Sequence, residues 1–211
     1  MKTLAEIATV VGGQCIGDDT IAISGFASLD DIQTGKLVFI TRENMLADVD
    51  SGKPTALMTR DEWRPSIDIP LIIVDDPYLA YAKASSLFSR KTLPNREVHP
   101  SAVIHETATV GEDVTIAAGV VIEEDAVIGA GAVLGANTFI GRYSHIGQNT
   151  VLAANVSICH DVVIGQDCTV ASGTVIGSDG FGFAPSSEGW QPIAQNGGVI
   201  IGNRVHIGSN T

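Results

Sequence analysis

Aromatic residues make up only 5% of this 211-residue chain, and basic residues are half as numerous as acidic ones: 12 Lys and Arg against 24 Asp and Glu. The net charge of −12 excludes the basic face that nucleic-acid binding requires. It also repels an acidic protein partner unless a local basic patch intervenes. The densest basic stretch, Ser89-Arg90-Lys91 with Arg96, reads as a solvated linker. Cysteine is scarce. Cys15, Cys159 and Cys168 are odd in number and scattered, which excludes a paired disulfide framework and a CxxC metal site. A reducing, cytoplasmic setting follows. Met1 to Glu6 carries an acidic residue and no apolar core, so it does not read as a signal peptide. No apolar run is long enough for a transmembrane segment.

What the chain does have is small aliphatic residues and a strict period. Stepping by six from Val98 gives Ile104, Val110, Ile116, Ile122, Ile128, Leu134, Ile140, Ile146, Leu152, Ile158, Ile164, Val170 and Ile176 without a miss. Gly often follows, as at Gly111, Gly129, Gly135, Gly141, Gly147 and Gly165. A small or β-branched residue stands two positions earlier, as at Ala108, Val114, Ala126, Thr138 and Val156. Two inward positions separated by one outward position make a strand of period two, and no helix has a six-residue period. The Gly is expected where the backbone turns and cannot carry bulk. Three hexads close one triangular coil, and stacked coils bury a continuous aliphatic ladder. The expected fold is mixed: a small N-terminal α/β domain over 1–97, then a left-handed parallel β-helix over 98–211.

The hexads stop after Gly177 and resume at Ile201-Gly202 and Ile207-Gly208. Residues 178–198 therefore form one long inserted loop carrying Phe181, Phe183 and Trp190, and long loops on rigid scaffolds usually carry function. The chain stops at Thr211, in mid-coil with no cap, so the β-helix is expected to be incomplete at its C-terminus, part of a longer protein. In the N-terminal region, Thr3 is a candidate cap for a helix to Val11. Strands are expected over 21–24, 37–41, 55–59 and 71–74. Asp76-Pro77 opens a helix over 78–88, and 91–100 is a linker.

Residues eighteen apart lie above one another in such a prism. One corner then gathers Arg142, Tyr143, His160, Asp161 and the root of the loop, and is the best site that spacing alone identifies. His160 is also what a solvated turn would carry. His145 and His206 should point outward, and His99 and His105 should be structural. No His residues converge with ligand spacing, so no metal is expected.

Gly25-Phe26-Ala27-Ser28-Leu29, Thr34-Gly35-Lys36-Leu37-Val38-Phe39-Ile40 and Asp76-Pro77-Tyr78-Leu79-Ala80-Tyr81-Ala82 resemble the uridine-recognising domain of the UDP-3-O-acylglucosamine N-acyltransferase family. The loop from Gly177 through Asp179-Gly180-Phe181-Gly182-Phe183-Ala184 to Trp190, Gln195 and Gly198 resembles that family's interruption of its hexads. The resemblance covers the whole chain. It implies transfer of a 3-hydroxyacyl group from acyl carrier protein to the 2-amine of a UDP-3-O-acylglucosamine in lipid A biosynthesis. It implies a His general base, a backbone N–H for the oxyanion, no cofactor, and active sites between the subunits of a homotrimer. Phe39 matches an aromatic that stacks on uracil. Arg42 and Met45 stand where the family usually has Asn and Tyr. Asp179, Gly180, Phe181, Gly182, Trp190 and Gln195 become substrate-loop candidates. The family's catalytic His lies in a later hexad, expected beyond Thr211, with the carrier-protein docking helices further on. Cys159-His160-Asp161 echoes that motif, but the role does not transfer to His160. The rivals are another hexapeptide-repeat sugar O-acyl- or acetyltransferase, and a non-catalytic nucleotide-sugar-binding or trimerisation module.

Overall fold

The computed structural model describes residues 1–89 and 96–211. Two compact units, Met1–Thr92 and Leu93–Thr211, divide the chain. Arg90 and Lys91 of the basic stretch lie outside the described residues.

The first unit is built on a four-stranded sheet. Its elements in order are β1 (Lys2–Thr3), α1 (Leu4–Val11), β2 (Gln14–Ile16), β3 (Ala22–Ile23), β4 (Leu37–Phe39), α2 (Leu46–Gly52), β5 (Ala56–Thr59), β6 (Leu71–Ile73) and α3 (Pro77–Ser85). The sheet order is β2-β6-β5-β4, parallel except for β2, while β1 pairs with β3 apart from it. Alternation along β4 and β5 explains the layers. Leu37, Ala56 and Met58 face α1 and α3, where Leu4, Ile7, Ala80 and Ala84 meet them. Val38, Ile40 and Leu57 face the other way, onto Val49 of α2. Strands covered on both faces must be apolar throughout, as Ala56-Leu57-Met58 is.

Both outer helices have well-made starts. The Thr3 hydroxyl accepts from the Glu6 N–H, and the Glu6 carboxylate accepts from the Thr3 N–H at 2.8 Å, a reciprocal cap. That backbone N–H, with Lys2 beside it, holds the Glu6 carboxyl below its ordinary pKa. The α3 start uses Asp76, whose carboxylate accepts from the N–H groups of Tyr78 and Leu79 at 3.0 Å, with Pro77 in the first turn. The expected helix over 78–88 is α3 followed by a 3-10 turn, Ser86–Phe88. The expected strands form, each shorter by one or two residues. The strand β2 and the helix α2 were not expected.

The second unit is the parallel β-helix. Three five-stranded parallel sheets form its walls, and Ile122, Ile140, Ile158 and Ile176 follow one another up one wall at the eighteen-residue register. Eighteen buried side chains from Val114 to Ile176 make one continuous core. Thr138, Ser144, Thr150 and Thr174 are also buried, at inward positions. Each donates its hydroxyl to a backbone carbonyl: Ala153, Cys159, Gly165 and Gly208 respectively. A polar side chain is tolerated in that core only with such a partner.

The expected role of glycine needs one correction. The left-handed backbone conformation falls three residues after the inward aliphatics from Val110 to Val170, at Asp113, Asp125, Asn137, Tyr143, Asn149, Asn155, Asp161 and Asp167, and at Gly119, Gly131 and Gly173. Asn and Asp tolerate that conformation better than other side chains. The glycines directly after the aliphatics exclude bulk for a different reason: the next coil's backbone runs against them. A Cβ on Gly147 would sit 2.3 Å from the carbonyl carbon of Gly165.

The inserted segment is more ordered than a plain loop. Phe183–Ser186 and Gly189–Pro192 pair antiparallel as a hairpin with Ser187-Glu188 at its tip. The chain then rejoins the wall, where Val199–Ile201 pairs with Val162–Ile164. Both ends of the insertion press on one spot. A Cβ on Gly177 would meet the Val162 side chain, and one on Gly198 would meet the Asp161 carbonyl.

Candidate functional site

Two regions carry the sequence-derived candidates, one in each unit. In the first unit a concavity opens beside the end of β4. Phe39, Thr41 and Met45 line one side, with Ser28, Asp30, Asp48 and Tyr78 around the rest. Phe39 is half-buried because its ring stacks on Tyr81, with centroids 4.4 Å apart and planes 16° apart. Phe26 meets Tyr81 edge-on at 4.8 Å and fixes it in turn. The Thr41 hydroxyl approaches the Met45 sulfur at 3.9 Å. The structure thus brings Phe39 and Met45 together, while the exposed Arg42 does not line the concavity. Sequence reasoning missed Tyr78, Asp30 and Asp48. Tyr78 carries a readable signal: α3 buries Pro77, Ala80 and Ala84, which turns Tyr78 away from that face.

In the second unit, His160 and Asp161 touch directly, with His160 Nδ1 2.8 Å from Asp161 Oδ2. This contact fixes the imidazole ring and leaves Nε2 for other partners. The other two members of the expected corner engage the coil below. The Tyr143 hydroxyl donates to Glu124 at 3.4 Å, and that carboxylate pushes the phenol's pKa up. The Arg142 N–H donates to Glu123, and the side chain lines a groove with His105, Glu123 and Glu124. Spacing placed these residues on one corner correctly, but it could not say which way the long side chains lean. Cys159 is half-buried, and burial, with Asp179 nearby, raises its thiol pKa. It is a poor nucleophile for that reason.

The hairpin residues form two further surfaces. Asp179, Gly180, Phe181, Gly182 and Gln195 line one concavity together with Ile193. Its shape rests on two contacts: the Ile193 N–H donates to the Gly182 carbonyl, and the Gln195 amide donates to the Ile193 carbonyl. Trp190 lines the second, with Phe181 and Phe183, whose rings are 5.0 Å apart. Phe181 is 97% exposed and Trp190 71%, so these rings have apolar area free for a ligand or partner. His99 and His105 each accept at Nδ1 from the backbone N–H two residues on, Ser101 and Thr107, which is a turn-making role. His145 and His206 face outward. Among the described residues no three His, Cys, Asp or Glu side chains converge as a metal site, and no helix is long and apolar enough to cross a membrane.

Comparison with known proteins follows these two units. Residues 20–87 match the family described as UDP-3-O-(3-hydroxymyristoyl) glucosamine N-acyltransferase, LpxD. Residues 107–142 and 143–178 match the bacterial transferase hexapeptide repeat. A UDP-3-O-acylglucosamine N-acyltransferase of Hahella chejuensis is 46% identical over 209 residues, which is 99% of this chain and 60% of that protein. Those of Saccharophagus degradans and Pseudomonas entomophila are 44% and 39% identical, again over 99% of this chain and 61% and 60% of theirs. The chain thus spans about 60% of the length of these relatives. Along nearly its whole length the chain is similar to the UDP-3-O-acylglucosamine N-acyltransferase family, whose model its residues 20–87 match.

Proposed function

We propose that this chain provides the nucleotide-sugar-binding domain and the first coils of an N-acyltransferase of lipid A biosynthesis. The observation that carries the reading is a combination: an α/β unit and a hairpin-interrupted β-helix in one chain, 46% identical along 209 residues to a protein named for that activity. In the reaction, the 2-amine of UDP-3-O-acylglucosamine attacks the thioester carbonyl of a 3-hydroxyacyl carrier protein. The C–N bond forms and the C–S bond breaks. A His base takes the amine proton, a backbone N–H holds the oxyanion, and the thiol leaves protonated. No metal, cofactor or covalent enzyme intermediate enters this scheme.

The residues here have distinct parts in it. Phe39 stacks on uracil and Met45 packs beside it, in the concavity described above. Arg42 offers its guanidinium from outside that concavity. Asp179, Gly180, Phe181, Gly182, Trp190 and Gln195 contact the sugar, its acyl chain or the carrier's arm. The working enzyme is a cytoplasmic homotrimer, with the general base in a coil beyond Thr211 and the carrier docking further on.

The test is N-acyl transfer by the 211-residue chain, given 3-hydroxyacyl carrier protein and UDP-3-O-acylglucosamine. The expected result is binding of the UDP-sugar without turnover, unchanged in His160→Ala. Robust turnover that His160→Ala abolishes would put the base inside this chain. Turnover from acetyl-CoA but not from the carrier protein would instead indicate another hexapeptide-repeat acetyltransferase.

A further inference from the structure

We propose that Asn196 is a site of spontaneous covalent modification, where the Gly197 nitrogen displaces the side-chain amide and leaves aspartate and isoaspartate in the segment by which the hairpin rejoins the β-helix. Asn196-Gly197 is the only Asn-Gly pair in the sequence. Each of the other seven Asn residues precedes Met, Arg, Thr or Val, whose side chains crowd the attacking nitrogen. Several of those are also tethered. Asn137 donates to Asn155, Asn149 donates to Asp167, and Asn203 accepts from the Gln166 N–H.

Nothing comparable holds Asn196. Asn196 and Gly197 are exposed and belong to no helix or strand. Among the described residues, none bonds to the Asn196 side chain or to the Gly197 N–H. A Cβ on Gly197 would meet nothing within 4 Å, so the backbone has room to turn onto the side chain there. In the step, the Gly197 nitrogen gives up its proton and attacks the Asn196 side-chain carbonyl carbon. A C–N bond forms, the old one breaks, and ammonia leaves with a proton from water. Water then opens the five-membered imide and the Gly197 N–H is restored. Opening at the side-chain carbonyl gives aspartate. Opening at the backbone carbonyl gives isoaspartate, with one more carbon in the main chain.

That carbon would fall between two anchors. On one side the Gln195 amide donates to the Ile193 carbonyl at 3.1 Å, and its oxygen lies against Gly180. On the other, Gly198 packs so closely on the Asp161 carbonyl that a Cβ would sit 2.2 Å from it. A longer main chain between fixed points must displace one of them, and the Gln195 clasp, exposed and made of side-chain contacts, is the weaker. Asp179-Gly180 has the same spacing, but a carboxylate is a poorer electrophile than an amide, and its rearrangement leaves the mass unchanged.

The experiment keeps the folded 211-residue chain at mildly alkaline pH, beside a sample unfolded in urea, and follows peptide masses and isoaspartate content. Asn196 should lose its amide ahead of every other Asn, at similar rates folded and unfolded, and faster as pH rises because the nitrogen must shed its proton. Gly197→Ala should slow the loss about tenfold by restricting the turn, with thermal melting unchanged because the added methyl meets open space. In the modified chain, hydrogen exchange at the Ile193 amide, which donates to the Gly182 carbonyl, should quicken. An Asn196 amide that persists in the folded chain while the unfolded chain loses it would overturn the proposal. So would equal rates in wild type and Gly197→Ala. Modification that leaves Ile193 exchange unchanged would overturn the predicted effect on the hairpin.

Discussion

Gly147→Ala is expected to destabilise the β-helix by about 3 kcal/mol or more, the range of severe overpacking. The cause is the neighbouring coil, not backbone conformation. An added Cβ would sit 2.3 Å from the Gly165 carbonyl carbon, 2.4 Å from its oxygen and 2.6 Å from the Gln166 nitrogen. All three are backbone atoms, so no side chain can rotate away. The coil above must rise, and the wall bonds through Gly147 N–H to Ile164 O must stretch with it. Ala does gain about 0.4–1 kcal/mol by restricting the unfolded chain, but that is far smaller than the clash. Gly202 is the control. It holds the same place in its hexad, directly after an inward aliphatic, yet nothing lies within 4 Å of its added Cβ. Gly202→Ala in this chain should stay within about 0.5 kcal/mol of wild type. Thermal or urea unfolding followed by circular dichroism distinguishes them. Equal stability of the two variants would show that coil spacing does not select glycine.

Ser144→Ala is expected to cost about 2–4 kcal/mol, the penalty for stranding two buried polar groups. The Ser144 hydroxyl donates to the Cys159 carbonyl at 2.7 Å and accepts from the Val162 N–H at 3.1 Å. The side chain is fully buried. These two bonds clasp the turn that carries His160 and Asp161, and both ends of the inserted hairpin rest on Asp161 and Val162. The loss should therefore be local as well as global, with faster hydrogen exchange at the Val162 amide. Ser144→Thr should be tolerated, because Thr138, Thr150 and Thr174 make the equivalent carbonyl bond from equivalent positions. If Ser144→Ala were as stable as Ser144→Thr, the hydroxyl ladder would have no structural weight.

The coils were legible in the sequence because their geometry permits one inward pattern. Every sixth residue must be an aliphatic that stacks on Ile122, Ile140 or their like, and any slip would bury a polar side chain. The left-handed corners were less legible: Asp, Asn, Gly, Tyr143 and Arg204 all occupy them, so no single residue type marks the position. The hairpin was hidden for a different reason. Phe183–Ser186 and Gly189–Pro192 are exposed on all sides, so burial imposes no alternation on them. Ser187-Glu188 is not a dipeptide that announces a turn. Its conformation relies on Gly189 at φ 116° and on the Ser186 hydroxyl, which donates to the Gly189 carbonyl. The strand β2 is three residues long and flanked by Gly13 and Gly17, too short to show a period.

The candidate site divides the same way. Phe39 and Met45 were legible because they lie six residues apart in one recognisable segment. Asp30, Asp48 and Tyr78 reach the same concavity from three other segments, and only the packing of α2, β4 and α3 brings them there. At the His160 corner, the eighteen-residue register was enough to place the backbone. The direction of Arg142 and Tyr143 depends on Glu123 and Glu124, charges one coil lower that spacing alone gave no reason to weigh.

Nucleotide selectivity tests the central claim most directly. The 211-residue chain should be titrated with UDP and, in parallel, with GDP. The expected result is saturable UDP binding with GDP at least about tenfold weaker, the selectivity required of a uracil-recognising concavity lined by Phe39 and Met45. Equal affinity for both nucleotides, or no binding of UDP, would contradict it.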